Sequence, residues 1–262
     1  MIQALYTAAT GMNAQQTQLD TSSNNLANVN TTGFKRMLTQ FQDLIYTNVR
    51  TPGSIAQQGM PLPDGLQLGH GVAISANEKV FTTGTLNSTS NPYDLAIDGD
   101  GFFQVTMPSG MIYYTRAGNF TINNTGSLVT SDGFLLNPQI NIPQNATTVS
   151  VGTDGSVSVM TPGSTSPTQV GQLTLVRFQN PSGLNNEGRN LYSQTMSSGS
   201  PVQTTAGQNG AGLIRQGYLE GSNVDVVAEM VNLILAQRAY EFNTKAITTA
   251  DQMLSFTTNL IR

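Results

Sequence analysis

The sequence predicts an α+β protein in which long helices at the two ends enclose a β-rich middle. Three observations carry this reading. Apolar residues recur every seven positions near both termini, short alternating runs fill the centre, and turn dipeptides separate those runs. A seven-residue apolar period marks a coiled-coil-type seam. Alternation of period two, punctuated by Asp-Gly, Thr-Gly or Ser-Gly, marks antiparallel strands in quick succession.

At the N-terminus the repeat is Leu5, Met12, Leu19 and Leu26, with Ile2 and Ala9 at companion positions and Gln16 and Ser23 continuing them as polar groups. Asp20 is the one charged residue among the first 34. At the C-terminus the repeat is Val226, Leu233, Tyr240, Ile247, Leu254 and Ile261, widened by Met230, Ile234, Met253 and Leu260. Asn223 or Ser222 is the expected N-cap of that helix, with Asp225 and Glu229 near its positive end. The helices would run roughly 40 and 55 Å at 1.5 Å per residue. A seam as polar as the first does not stand as an isolated helix in water, so the two termini are expected to pack together as a coiled-coil-like core. The domain layout that follows is a helical core from 1–30 and 225–262, a connecting region over 31–78, and a β-rich domain over 79–224.

The β middle reads as "LAIDG", "GFFQV", "IYYTRAG", "SLVTS", "SVSVM" and "QLTLVRF", with turns expected at Ser109-Gly110, Thr125-Gly126, Asp132-Gly133 and Asp154-Gly155. Residues 46–67 read differently. Pro52, Pro61 and Pro63, with Gly53, Gly59 and Gly65, forbid a helix and disfavour a central strand, so an extended arm or long loop is expected.

Composition excludes several functions. The net charge is −4 and there is no basic cluster beyond Lys35-Arg36, so no nucleic-acid groove is expected. Cysteine is absent, which removes disulfides and thiolate metal sites. No positive-then-apolar leader opens the chain, and no run of about 18 apolar residues suggests a membrane span. Charged residues make up only 10%, against about 25% in ordinary soluble domains, and such a surface suits packing against other protein. Asp94, Asp98 and Asp100 invite a calcium-loop reading. The twelfth position counted from Asp98 is Ser109 and from Asp94 is Val105, where an EF-hand needs a carboxylate. A strand–turn–strand is therefore expected there. His70 has no paired Ser or Cys signature. No catalytic, cofactor or metal-binding residues are predicted. A structural filament subunit is the preferred reading, and a secreted β-rich carbohydrate-binding protein is the alternative from a different class.

The stretch "SSNNLANVNTTGFKR", residues 22–36, resembles the signature of the bacterial flagellar rod and hook protein family. "DLAIDGDGFFQV", "YTRAGNFTINNTGSLVTSDGFLL" and "QGYLEGSNVDVVAEMVNLILAQRAYEFNTKAITTADQML" are similar to further family motifs, in family order. The resemblance covers the chain essentially end to end. It implies a paired-helix core domain, a connecting region and a β-rich outer domain. The branch most closely resembled is the one that builds the distal rod, with hook and proximal rod as near alternatives. "RTPGS" and "LPDGLQLGHGV" carry that finer likeness, and 46–63 matches the position of an extra rod-rigidity segment, here Tyr46, Arg50, Pro52, Gly53, Pro61 and Pro63.

What the resemblance implies is a non-enzymatic drive-shaft subunit. It forms a helical homo-oligomer in the basal body, crossing the periplasm to the outer membrane. Its implied partners are proximal rod proteins, hook protein, P-ring and L-ring proteins, a rod cap and the flagellar type III export apparatus. Phe41 and Ile45 resemble the family's export-gate motif. Asn24, Asn25, Leu26, Asn28, Thr31, Gly33, Phe34 and Lys35 form the signature junction. There the Asn side chains can bond neighbouring backbone and Gly33 can supply a positive φ, which turns the chain out of the helix layer.

Overall fold

The computed structural model describes residues 2–51, 64–164 and 166–260, with the side chains of Ile2, Asn259 and Leu260 left aside. Two helices, α1 (Ile2–Ala27) and α2 (Val226–Leu260), stand at the ends of the described chain, and the body between them is β-rich. The protein is thus α+β. The chain divides into two compact units. One holds residues 1–26, 37–78 and 225–262; the other holds 27–36 and 79–224. The signature stretch is therefore shared, with Asn24–Leu26 in the first unit and Asn28–Lys35 in the second.

In the first unit α1 and α2 run antiparallel. Asn25 meets Glu229, and Gly11 lies against Asn243, so 14 residues back along one helix are 14 forward along the other. The residues that sink deepest on α1 are small or polar: Ala8, Ala14, Thr21, Ser22 and Asn25. On α2 they are Glu229 and Ala236. Thr21 and Asn25 hydrogen-bond Thr39 and Met37 of the strand that follows, and the absent side chain of Gly11 leaves room for Asn243. The N-terminus of α2 is capped by Asp225, not by the expected Asn223 or Ser222. Asp225 Oδ1 accepts from the amides of Val227 (2.9 Å) and Ala228 (3.3 Å). Its shorter distance in sequence to the first turn decides this, and the carboxylate also meets the positive helix end.

Among the described residues, four strands complete this unit: β1 (Met37–Asp43), β2 (Tyr46–Arg50), β3 (Leu66–Gly69) and β4 (Val72–Lys79). β1 pairs with β4, and β2 pairs antiparallel with β3 from Tyr46↔Gly69 to Arg50↔Leu66. This corrects the expectation of an arm or loop over the whole of 46–67. The Pro and Gly residues that suggested it lie in the middle of the segment, whereas 46–50 and 66–69 carry Tyr, Thr, Val and Leu, which fit a pleated surface. Residues 52–63, with Pro52, Gly53, Pro61 and Pro63, lie outside the described residues. Gly71, between β3 and β4, lies against α1. A Cβ there would collide with Thr10 Oγ1, so glycine fixes how closely the strands approach the helix.

The second unit contains β5 (Leu86–Ser88), β6 (Leu95–Asp98), β7 (Phe103–Thr106), β8 (Ile112–Thr115) and the strands that follow. β7 and β8 sit inside a seven-stranded sheet, bordered by Leu135–Asn137 on one side and Leu191–Ser193 on the other. The adjacent Phe102 and Phe103 explain how two cores form. Successive side chains leave a strand on opposite faces. Phe103 enters a cluster with Leu95, Ile97, Val105, Phe120 and Leu136, while Phe102 enters one with Tyr114, Val176, Phe178 and Tyr192. The four expected turns are present. Gly110, Gly126, Gly133 and Gly155 each have φ between 83° and 86°, and each amide bonds a carbonyl three residues back. The "LAIDGDGFF" stretch is strand–turn–strand, with Asp98 paired to Arg215 at 2.7 Å and Asp94 accepting from Thr89 and Asn91.

Candidate assembly site

Asn25 of the signature lies buried near the end of α1. Its Nδ2 donates to the Met37 carbonyl (2.9 Å), and its Oδ1 accepts from the Met37 amide (2.8 Å). The amide thus imitates a strand neighbour and starts β1 where α1 ends. Nδ2 also donates to Glu229 Oε1 at 3.2 Å, and Glu229 is itself buried. One side chain therefore joins helix, strand and second helix within the first unit. Asn25→Ala leaves two backbone groups and a buried carboxylate without this partner. It should cost about 2–3 kcal/mol of stability, read as a lowered urea midpoint by circular dichroism.

The rest of the signature works in the second unit. Asn28 Oδ1 accepts from Thr31 Oγ1, and the Thr31 amide returns to the Asn28 carbonyl at 3.1 Å. Gly33 has φ 69°, and its amide donates to the Glu220 carbonyl at 2.8 Å. A Cβ on Gly33 would stand 2.7 Å from the Ala117 amide nitrogen, so both conformation and space demand glycine. Phe34 and Lys35 are buried beside it.

Lys35 leads to the strongest electrostatic feature of the protein. Its Nζ lies 2.5 Å from Glu220 Oε1 and donates to the Thr82 carbonyl at 2.6 Å. Arg116 Nη1 lies 3.3 Å from Glu220 Oε2, and Nη2 donates to the Gly99 carbonyl at 2.8 Å. The Gly84 amide donates to Glu220 Oε1 at 3.0 Å. All three charged side chains are at most 1% exposed. Burial lowers the Lys35 pKa from its ordinary value; Glu220 opposes that shift, and Arg116 adds to it. Sequence reasoning singled out Lys35 but neither of its partners, because 81 and 185 positions separate it from Arg116 and Glu220. Nearby, burial pushes the Lys79 amine down to about 8, although the faces of Phe34 and Tyr192 on which it rests favour its charged form.

The expected seam residues are placed as follows. Leu5, Met12, Leu19 and Leu26 are all half-buried, and so are Leu233, Ile247 and Leu254. Met12 Sδ accepts from Thr244 Oγ1 of α2. Val226 and Tyr240 are 39% and 38% exposed, and Ile261 lies outside the described residues. Met230, Ile234 and Met253 are each more than half exposed. A further apolar set is exposed on α2, among polar neighbours such as Asn232, Arg238 and Lys245: Val227, Val231, Leu235, Phe242 and Phe256, between 50% and 71% exposed. So many large apolar side chains exposed on one helix mark a surface for contact with other protein. Phe41 lies on β1 and Ile45 in the short link to β2, 41% and 84% exposed, and Tyr46 and Arg50 are exposed on β2. The one histidine, His70, shares a 2.6 Å hydrogen bond with Thr47 Oγ1.

Two helical ends, a buried junction and a β-rich middle define the class of the flagellar rod and hook proteins. Family models match three stretches: flagella basal body rod protein over residues 5–35, flagellar hook protein FlgE/F/G D1 domain over 96–159, and flagellar basal body rod FlgEFG protein C-terminal over 215–260. The chain is 50% identical over 254 residues to the flagellar basal-body rod protein FlgG of Buchnera aphidicola subsp. Acyrthosiphon pisum, covering 97% of this chain and 98% of that one. It is 46% identical to the FlgG of Caulobacter vibrioides over 99% of both chains, and 45% identical to that of Borreliella burgdorferi over 100% of both. The chain belongs to the flagellar basal-body rod family. The buried triad takes one member from each matched stretch: Lys35, Arg116 and Glu220.

Proposed function

We propose that this chain is a structural subunit of the distal flagellar rod, polymerising head to tail into a rigid helical shaft that carries motor torque to the hook. The observation that carries the proposal is α2, whose outward apolar residues have no cover within the single chain. Together with full-length likeness to proteins named as rod subunits, it favours burial between many copies. A heterologous contact that does not close produces an open helical polymer. In the polymer, the seam from Leu5 to Leu26 and from Val226 to Ile261 packs as a coiled-coil-like core. The other contacts are with proximal rod and hook proteins at the two ends, and with the P-ring, L-ring and rod cap. The chain reaches the rod through the type III apparatus, and the exposed Phe41 and Ile45 suit recognition by its gate. Purified chain should form filaments on concentration, and chain lacking residues 225–262 should stay monomeric under the same conditions, as read by electron microscopy and sedimentation. Filaments from the truncated chain would refute the assignment of assembly to the helical ends.

The segment 46–63 is proposed to stiffen the shaft. Its described part holds β2, which pairs with β3 just beyond the segment, and Tyr46, Val49, Leu66 and Leu68 of this ribbon are at least 43% exposed. Such a ribbon can wedge between neighbours, and without it subunits gain room to slide. Deletion of 46–63 should leave each unit folded and yield curved filaments. Straight filaments from the deleted chain would remove the segment from this role.

A further inference from the structure

Beside the buried triad lies a cavity of about 60 Å³, lined by Phe81, Phe102, Phe178, Pro181, Arg116 and Arg177, with Asp100 and Gly101 completing it. Several features of this cavity concern charge. The triad holds two cations and one anion, so a positive charge is left over where no side chain is more than 1% exposed. Arg116 donates through both terminal nitrogens, yet its buried Nε has no hydrogen-bond partner among the described residues. The second guanidinium on the cavity, Arg177, donates through Nη1 to the Asn209 carbonyl, while its Nη2 lies 3.8 Å from an Asp100 carboxylate that is 70% exposed. Leaving a donor and a surplus charge buried without a partner is costly, and an anion resolves both at once.

We propose that this cavity is a binding site for one small monovalent anion of chloride size, held between Arg116 and Arg177. The volume sets the size class. It is large enough for one or two water-sized occupants and too small for a nucleotide, sugar or peptide. The aromatic walls strip the ion of water, a loss that a halide tolerates better than the strongly hydrated, doubly charged sulfate. Asp100 at the rim repels anions and sets the affinity low, which suits an ion present at millimolar concentrations. Every residue of the cavity belongs to the second unit.

The test uses the full-length monomer. Line broadening of ³⁵Cl in nuclear magnetic resonance is titrated with protein, and bromide or sulfate is added as competitor. Saturable broadening that bromide displaces and sulfate does not is expected. Arg177→Gln, which leaves the triad intact, should weaken it roughly tenfold, the worth of one charge-assisted hydrogen bond. Thermal unfolding supplies the second reading. The wild-type midpoint should rise more in sodium chloride than in sodium sulfate at low, equal ionic strength, and Arg177→Gln should lose that difference. Broadening displaced better by sulfate, or unchanged in Arg177→Gln, means an adventitious ion only and overturns the proposal. Absence of saturable broadening overturns it equally, leaving water as the partner of Arg116 Nε.

Discussion

Glu220→Gln should destabilise the β-rich unit by about 3–5 kcal/mol, the largest loss of stability expected from one conservative change. The substitution keeps side-chain volume, removes the charge and turns one accepting oxygen into a donating NH2 that faces donors. It leaves the Lys35 ammonium and the Arg116 guanidinium buried together, with no carboxylate between them. Denaturant unfolding by circular dichroism gives the size of the effect, and a loss below about 1 kcal/mol would mean that the triad is not the anchor of the junction.

The pH dependence offers a second reading. The Lys35 pKa is already below its ordinary 10.5 through burial, and Glu220 is what holds it up. Losing the carboxylate lowers it further. A folded-state pKa below the unfolded one means that the folded chain binds fewer protons, so this group's contribution to stability rises with pH. The window runs from the folded Lys35 pKa up to 10.5. Within it, Glu220→Gln should gain stability more steeply than the wild type. Adding Lys35→Met should recover part of the loss at neutral pH, with a coupling of about 1–3 kcal/mol between the two sites.

The triad also marks how far sequence reasoning reached. Local rules were legible. The turn glycines at 110, 126, 133 and 155 stand where the dipeptides placed them, because the αL requirement is written into two adjacent residues. The adjacent Phe102 and Phe103 announced a strand, though not that it would divide two cores. Long-range chemistry was not legible. Nothing local to Arg116 or Glu220 says that they share a site with Lys35, because only the fold brings them together. The motif likeness singled out all three stretches without supplying the reason they belong together. The helix ends mark a different limit. A seven-residue period of Leu and Met shows the half-buried flank of α1, whereas its deepest positions are Ala8, Ala14, Ser22 and Asn25, which hydrophobicity alone does not flag. Positions buried for want of room or for hydrogen bonding select small or polar residues, so the deepest contacts of α1 are the least conspicuous in a hydrophobic pattern.

Leu235→Asp should abolish filament formation while leaving the free chain nearly as stable as before. Leu235 is 62% exposed on α2, so in the monomer a carboxylate there stays in water. Exposed substitutions of this kind usually stay within about ±0.5 kcal/mol. In the proposed polymer the same position is covered by neighbouring copies, and an unpaired buried carboxylate costs several kcal/mol at every repeat along the filament. Leu233→Asp is the paired comparison. Leu233 is half-buried within the single chain, so its substitution should lower both monomer stability and assembly. Sedimentation and electron microscopy report assembly, and urea unfolding reports the monomer. The pattern expected is assembly lost in both variants and monomer stability lost only in Leu233→Asp. If Leu235→Asp instead gives filaments of normal length and abundance, the outward face of α2 is not the surface through which subunits join.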